Sequence, residues 1–342
     1  MSNAYVRYYL DQQQGRGMAV FRGRPWQMGH GQVGFGLGGL FKSVARAVMP
    51  IVKSGAKALD EKVGVVNNFL NSLFKQVDVF LKEKQVTQAT GTYAYRLYLG
   101  TLLNFELTAA LFYKDTAGKF DVSDPTVAVA ANTNYGLKKR YKFSSASKTI
   151  EMAGPIFSDV LFSERPLLSF VDLKVILNRN INEFCLMASE DGVDYRVKLM
   201  DVYLKIRKVK ISPTVSMAHE IALKKGPASY PIHRVECKSF IIPAGNPSLR
   251  KDNIFNGLVL KSFVCGLVES AAFNGAYKQN PFNFQHFNMS FIGASVNGEE
   301  VPLKGMQLSF ARANPRYIEA FYTMFPGTGK MNYNTGNDIS HD

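Results

Sequence analysis

The residues that could bind a metal ion are few and wrongly spaced for that chemistry. His219-Glu220 begins like the helical His-Glu-x-x-His motif of zinc proteases, but Leu223 stands where the second histidine is required. The histidines show no other ligand spacing along the chain; they are His30, His219, His233, His286 and His341. The sequence therefore predicts no metal site.

Motifs for nucleophilic catalysis and phosphate binding fail in the same way. The chain has no Gly-x-Ser-x-Gly elbow, and Glu151 and the 163–165 Ser-Glu-Arg run fit solvated or paired charges better than catalytic groups. The glycine run 34–39 resembles a phosphate-binding loop, but two apolar residues separate it from Lys42-Ser43, and no strand leads into it. We predict no enzyme, no catalytic residues, no cofactor and no small-molecule substrate.

Positive charge is concentrated at the beginning of the chain. The sequence of 342 residues has 41 Lys and Arg against 27 Asp and Glu, a net charge of +14, and residues 1–58 contribute eight basic residues against Asp11. Residues 1–39 combine this charge with many glycines and few apolar groups, which predicts a disordered leader. Such a leader attracts nucleic acid or anionic membrane.

Residues 40–61 are predicted to form a basic amphipathic helix that follows the leader, with a kink at Pro50. One interpretation is a surface helix packed on its own protein, and the other is a binding segment for DNA phosphates or anionic membrane within 16–57. The cationic residues that would bind are Arg22, Arg24, Lys42, Arg46, Lys53 and Lys57.

The segment 280–288 is the clearest structural motif, because phenylalanines alternate with polar residues before an apolar run. We expect Phe282 and Phe284 to share one face, with a bulge or turn near His286 that re-aims Phe287. The amide-rich opposite face predicts contact with another backbone or subunit. Asn297-Gly298 then predicts a hairpin turn, so these residues form a core and assembly motif.

From residue 63 onward, short apolar β-rich runs alternate with Gly and Asn turns, which favours β-sandwiches. Strands are predicted within 77–81, 149–162, 167–177, 195–211, 230–242, 257–268 and 287–296, and helices at 93–103, 215–225 and 317–325. Cys185, Cys237 and Cys265 lie in apolar runs, which predicts buried thiols in a reducing compartment. No signal peptide or membrane span is predicted.

Ten segments stand in a fixed order along the chain: residues 68–78, 111–118, 184–188, 194–198, 212–215, 230–237, 272–275, 280–287, 327–331 and 336–340. Together they resemble the capsid proteins of adenovirus-like DNA viruses and of Polinton (Maverick) elements, including adintovirus and adomavirus relatives. The resemblance implies a mainly β, double jelly-roll, hexon-like major capsid protein that forms homotrimers, a capsid lattice and contacts with other capsid proteins such as a penton.

The same resemblance implies the domain organisation and the location. A first jelly roll would span 63–212, a connector helix 213–227 and a second jelly roll 228–342. Both jelly rolls would lack some strands of the family pattern, as expected of a fused or truncated gene copy, and a non-functional endogenised capsid fragment is an alternative interpretation. Residues 18–59 look similar to the small basic core or membrane-active proteins of these elements. The protein is then expected in the virion capsid and in the host nucleus or cytoplasm, and is not expected to be secreted.

Overall fold

The computed structural model describes residues 44–49, 51–53, 63–104, 135–163, 165–189, 195–206, 209–232, 234–255 and 260–327. The described residues contain both α-helices and β-strands in similar proportion. The fold is therefore mixed helix and strand, built on small antiparallel sheets, and it is less dominated by β-structure than the sequence predicts. The disordered leader predicted over 1–39 lies outside the described residues.

Strands and short helices alternate along the described chain. The strands are β1 (Val44–Met49), β2 (Ile51–Lys53), β3 (Val63–Val65), β4 (Phe74–Leu81), β5 (Lys84–Gln85), β6 (Ile150–Pro155), β7 (Leu173–Arg179), β8 (Leu186–Ala188), β9 (Tyr195–Val197), β10 (Asp201–Lys205), β11 (Phe291–Val296) and β12 (Glu299–Gln307). The α-helices are α1 (Phe69–Ser72), α2 (Tyr93–Asn104), α3 (Tyr135–Ser144), α4 (Asn182–Cys185), α5 (Pro213–Lys225), α6 (Ser270–Asn274) and α7 (Ile318–Gly327).

The strands pair into five small sheets, and every pairing is antiparallel. Two sheets have three strands, in the orders β10-β1-β6 and β5-β4-β7, and three are two-stranded, β2-β9, β3-β8 and β11-β12. This antiparallel pairing agrees, in strand direction, with the β-sandwiches that the sequence favours. Within the described residues these sheets do not close into a barrel.

Strand β4 shows how the apolar pattern fixes the fold. Val77, Val79 and Leu81 alternate with more exposed residues and are buried, as a half-buried strand requires. Phe74 breaks this alternation, yet it is also buried, because the register with β7 shifts between Phe74 and Gln76. The extra residue, Lys75, is exposed on this bulge, so both apolar side chains reach the core.

The helix predicted over 40–61 is wrong where the structure describes this segment. Residues 44–49 and 51–53 are strands, and β1 lies between β6 and β10 at the centre of its sheet. Two physical preferences outweigh the helical spacing of the charges. The segment is rich in β-branched valine and isoleucine, and Pro50 removes a helical hydrogen-bond donor while it separates the two strands.

The predicted helices at 93–103, 215–225 and 317–325 are confirmed as α2, α5 and α7. Helix α5 has clear end signals: the Ser212 hydroxyl accepts from the Val215 amide at 3.4 Å, and Pro213 occupies the first turn. Lys224 and Lys225 lie in the last turn, where their positive charges interact favourably with the negative end of the helix dipole. None of its residues is buried, which suits the connector that the sequence predicts.

Strands predicted within 230–242 and 257–268 are not present in the described parts of these runs. Phe240, Ile241 and Ile242 are consecutive in the sequence. In a strand their side chains would point to opposite faces in turn, so a sheet with one buried face could not bury all three. Tyr230, at the start of the first run, is buried. Its hydroxyl accepts from the Leu168 amide at 3.1 Å, which fixes the chain by a side-chain contact.

The main hydrophobic cluster is centred on residues 63–104 and 135–197, and two aromatic residues from the second half join it. Tyr277 and Phe282 are buried within this cluster, and Tyr230 joins a second cluster with Leu81 and Val160. Segments on both sides of α5 therefore share one core. The division into two jelly rolls at 213–227 stays a prediction.

The Asn297-Gly298 turn connects β11 and β12, as the sequence predicts. Asn297 has φ 54° and Gly298 has φ 92°, the left-handed pair that a two-residue hairpin needs to match strand twist. The pairing contains an irregularity between Ile292 and Ala294. The hairpin is thus a local structure that its own turn specifies.

Replacing Gly298 by alanine tests this turn. No atom lies within 4 Å of the position that the added methyl group would take, so the cost comes from φ 92° alone and should be about 1–2 kcal/mol. Hydrogen exchange of the β11–β12 amides should accelerate accordingly. Gly100→Ala, in helix α2 with equally open surroundings, is the matched control and should stabilise by up to about 1 kcal/mol. Equal changes in stability for Gly298→Ala and Gly100→Ala would contradict the left-handed backbone assigned to Gly298.

Candidate functional site

The segment 280–288 is anchored by an aromatic cluster around helix α2. The Phe282 ring stacks on Tyr98 with centroids 4.4 Å apart and meets Tyr95 edge-on at 5.6 Å. The Phe284 ring stacks on Tyr98 at 6.1 Å and is partly buried against the same core. The two phenylalanines therefore share one environment, as predicted.

Phe287 points elsewhere, also as predicted. Phe287 and Asn288 have φ 44° and 51°, and the Asn288 amide donates to Nδ1 of His286 at 2.9 Å. This left-handed turn leaves the Phe287 side chain 51% exposed. The chain around 280–288 is built from turns rather than an extended strand, and the strand begins only at Phe291.

The amides of this segment do not all face outward, which corrects the prediction of an outward amide face at its start. Asn280 is buried, and its Nδ2 donates to Oδ1 of Asn67 at 2.9 Å. Its own Oδ1 accepts from the Phe282 amide at 2.9 Å. A buried amide needs such partners, because each unpaired polar group costs about 1–3 kcal/mol. The amide therefore fixes the segment to the core.

Asn67 belongs to a larger buried polar cluster at helix α1. Asn71 Nδ2 donates to Oδ1 of Asn68 at 3.0 Å, and the Ser72 hydroxyl donates to the Asn67 carbonyl at 2.9 Å. The Tyr93 hydroxyl donates to Asn71 Oδ1 at 3.4 Å and links the cluster to α2. The close spacing of Asn67, Asn68, Asn71 and Ser72 is visible in the sequence. It does not predict a buried cluster, because asparagine side chains are usually exposed.

The β11–β12 hairpin leaves apolar groups in solvent. Phe291 is 52% exposed on one side of the hairpin, and its ring lies over Gly305, where an added methyl group would be 2.5 Å from the ring. Val296 and Val301, from the two strands, are also exposed. Among the described strands, β11 and β12 pair only with each other, so both outer edges of the hairpin are open.

A polar cleft between α2 and residues 234–237 is a feature that sequence reasoning missed. Asp159 pairs with Arg96 and accepts from the Val235 amide at 3.3 Å. Burial raises the pKa of the Asp159 carboxyl, while Arg96 opposes this shift. The cleft encloses about 40 Å³, which is room for a few waters and too little for a metabolite. Its contacts link α2 to residues 234–237 through Asp159.

The cysteines differ in their surroundings, and the prediction of three buried thiols is confirmed only for Cys185. Cys185 is buried, its thiol donates to the Ser72 carbonyl at 3.3 Å, and burial raises its pKa to about 12. Cys237 is half-buried and Cys265 is exposed. Cys265 lies in residues 260–268, which are exposed or half-buried and do not form the predicted strand.

The basic residues predicted to bind DNA or membrane are only partly described. Arg22, Arg24, Lys42 and Lys57 lie outside the described residues. Arg46 lies in β1 opposite Tyr203 and Ala153, and Lys53 lies in β2 opposite Tyr195. These two positions belong to separate sheets rather than to one helical face, so the predicted cationic helix does not unite them.

Among the residues that the structure describes, no three His, Cys, Asp or Glu side chains are grouped closely enough to hold a metal ion. Over the same residues, no helix has the length and apolar content to cross a membrane.

Comparison with curated proteins shows similarity to a distant relative. The chain is 23% identical over 265 residues to uncharacterized protein F54H12.2 of Caenorhabditis elegans, covering 75% of this chain and 59% of that protein. The chain thus spans somewhat more than half the length of this relative. No protein-family model matches the chain, and no solved structure matches it.

Removing the buried amide of Asn280 should destabilise the protein. Asn280→Ala leaves Oδ1 of Asn67 without its donor, and we expect a loss of about 1–3 kcal/mol in the free energy of unfolding. Urea denaturation followed by circular dichroism measures it. Asn283→Ala, a less buried amide in the same segment, is the control and should change stability by no more than about 0.5 kcal/mol. Equal losses at both positions would refute the special role of Asn280.

Proposed function

We propose that the protein is a structural capsid subunit of a DNA virus or of a virus-derived transposable element. It would belong to the double jelly-roll, hexon-like class and assemble as a homotrimer, with other capsid proteins as further partners. The ten ordered segments that resemble these capsid proteins support the proposal. The antiparallel sheets and their short connecting helices agree with it at the level of architecture.

The observation that carries the proposal is the exposed β11–β12 hairpin. An isolated two-stranded hairpin is at best marginally stable in water, and a third strand or a packing surface normally stabilises it. Here Phe291, Val296 and Val301 are exposed and both hairpin edges are open among the described strands. A neighbouring subunit that covers these groups would supply what the single chain does not.

The distribution of exposed apolar residues supports the same conclusion. The large apolar residues of 63–104 are mostly buried, whereas many of those in 235–322 are exposed. Covering one valine or phenylalanine side chain contributes about 1.5–3 kcal/mol. Several such side chains on one hairpin can outweigh the cost of association, which makes contact between copies favourable.

A second candidate function is binding of DNA or anionic membrane through residues 16–57. The concentration of eight basic residues against Asp11 in residues 1–58 favours it. The cationic side chains would contact phosphates without reading bases, since no groove-reading motif accompanies them. This function is compatible with a capsid subunit, because a capsid encloses nucleic acid.

The assembly surface can be tested with a charge placed on the hairpin. We expect the purified chain to sediment as a trimer at micromolar concentration and Val301→Glu to sediment as a monomer, because a buried unpaired carboxylate opposes the contact. Analytical ultracentrifugation measures the change. Met217→Glu, at an equally exposed apolar residue of α5, should leave the trimer intact. A monomeric parent chain would contradict the proposal.

DNA binding through residues 16–57 can be tested by measuring how the affinity of the full chain for duplex DNA depends on salt. Six phosphate contacts give a slope of log affinity against log salt of about −5. Replacing Lys53 and Lys57 by glutamine should flatten the slope by about two. Replacing Lys224 and Lys225, the exposed pair in α5, should leave it unchanged. Equal slopes for both double variants would exclude the assigned contacts.

A further inference from the structure

Residues 238–253 form a projecting loop in which every residue is exposed. The loop carries three consecutive large apolar residues, Phe240, Ile241 and Ile242, and the Ile241 side chain is 78% exposed. A turn follows them, in which the Asn246 amide donates to the Pro243 carbonyl at 3.2 Å. The exposure of these apolar side chains to water is unfavourable, so moving them into an apolar environment would lower the free energy.

The base of the loop is held firmly on the first half of the chain. Gln88 Nε2 donates to Oε1 of Glu236 at 2.6 Å, and the Thr92 hydroxyl donates to the Cys237 carbonyl at 3.0 Å. At the other end, the Lys238 ammonium donates to the Ile254 carbonyl at 2.6 Å. These contacts fix both ends of the loop, so its apolar residues are held at a defined place on the surface.

Basic residues surround the apolar group. Lys238, Arg250 and Lys251 lie in the limbs, and the Lys251 ammonium is 5.6 Å from the centre of the Phe240 ring. Asp252 is the one carboxylate of the loop, 3.4 Å from Arg250. An apolar tip with a cationic base matches a lipid surface whose headgroups are anionic and whose acyl chains accept Ile241.

We propose that the projecting loop binds an anionic lipid bilayer by inserting Ile241 and its neighbours at the interface. This site is separate from the proposed assembly hairpin and from the basic leader. The loop backbone is not paired in a helix or sheet, so it would stay among the headgroups while the side chains reach the acyl boundary. Each nearby lysine or arginine adds electrostatic attraction that salt weakens.

The test is co-sedimentation of the full chain with vesicles of phosphatidylcholine, alone or with about one third phosphatidylserine. We expect binding to the anionic vesicles at low salt. Ile241→Asp should weaken partitioning by at least about tenfold, since the burial of one isoleucine is lost. Ile241→Trp should retain binding, because tryptophan favours the membrane interface. Ile221→Asp, at a similarly exposed isoleucine of α5 beside two lysines, should bind like the parent chain.

Circular dichroism and sedimentation velocity of the variants complete the test. Ile241 is exposed, so Ile241→Asp should leave the fold and the oligomeric state unchanged. A parent chain that does not co-sediment with anionic vesicles would overturn the proposal. So would full binding by Ile241→Asp, which would place the membrane contact in the leader or elsewhere. An altered oligomeric state in Ile241→Asp would instead make the loop a contact between copies.

Discussion

The hydrogen bond between Asn280 and Asn67 joins parts of the chain that lie 213 residues apart, and much of the fold depends on it. Each amide is buried, so neither has water as an alternative partner. Beside this bond, Phe282 enters the aromatic cluster on α2 and fixes the start of the segment that precedes the hairpin. Loop closure over such a separation is entropically costly, and the aromatic packing and the amide pair together offset it.

Local signals predict the elements that local chemistry controls. Asn297-Gly298 specifies a hairpin turn through its left-handed backbone, and Ser212-Pro213 specifies the start of α5 through capping. The change of direction at Phe287 likewise follows from the left-handed turn beside His286. In each case the determining atoms lie within a few residues of one another, so the sequence contains the whole interaction.

Features that depend on distant partners are not accessible in this way. The segment 44–53 has a helical spacing of charges, but its pairing with β6, β9 and β10 makes it strands. Composition favours an outward Asn280 because amides are usually exposed, and only its partner at Asn67 explains why it is buried. Residues 234–242 read as a strand by composition, yet no strand among the described residues pairs with them.

The Phe291 ring over Gly305 has a consequence for how this protein can vary. A methyl group at position 305 would stand 2.5 Å from the ring, so a larger residue there requires the exposed Phe291 side chain to move aside. Loss of the ring would in turn uncover the backbone of two glycines, since Gly293 also lies beneath it. Positions 291, 293 and 305 are therefore expected to covary among homologues, with an aromatic at 291 favouring glycine at both other positions.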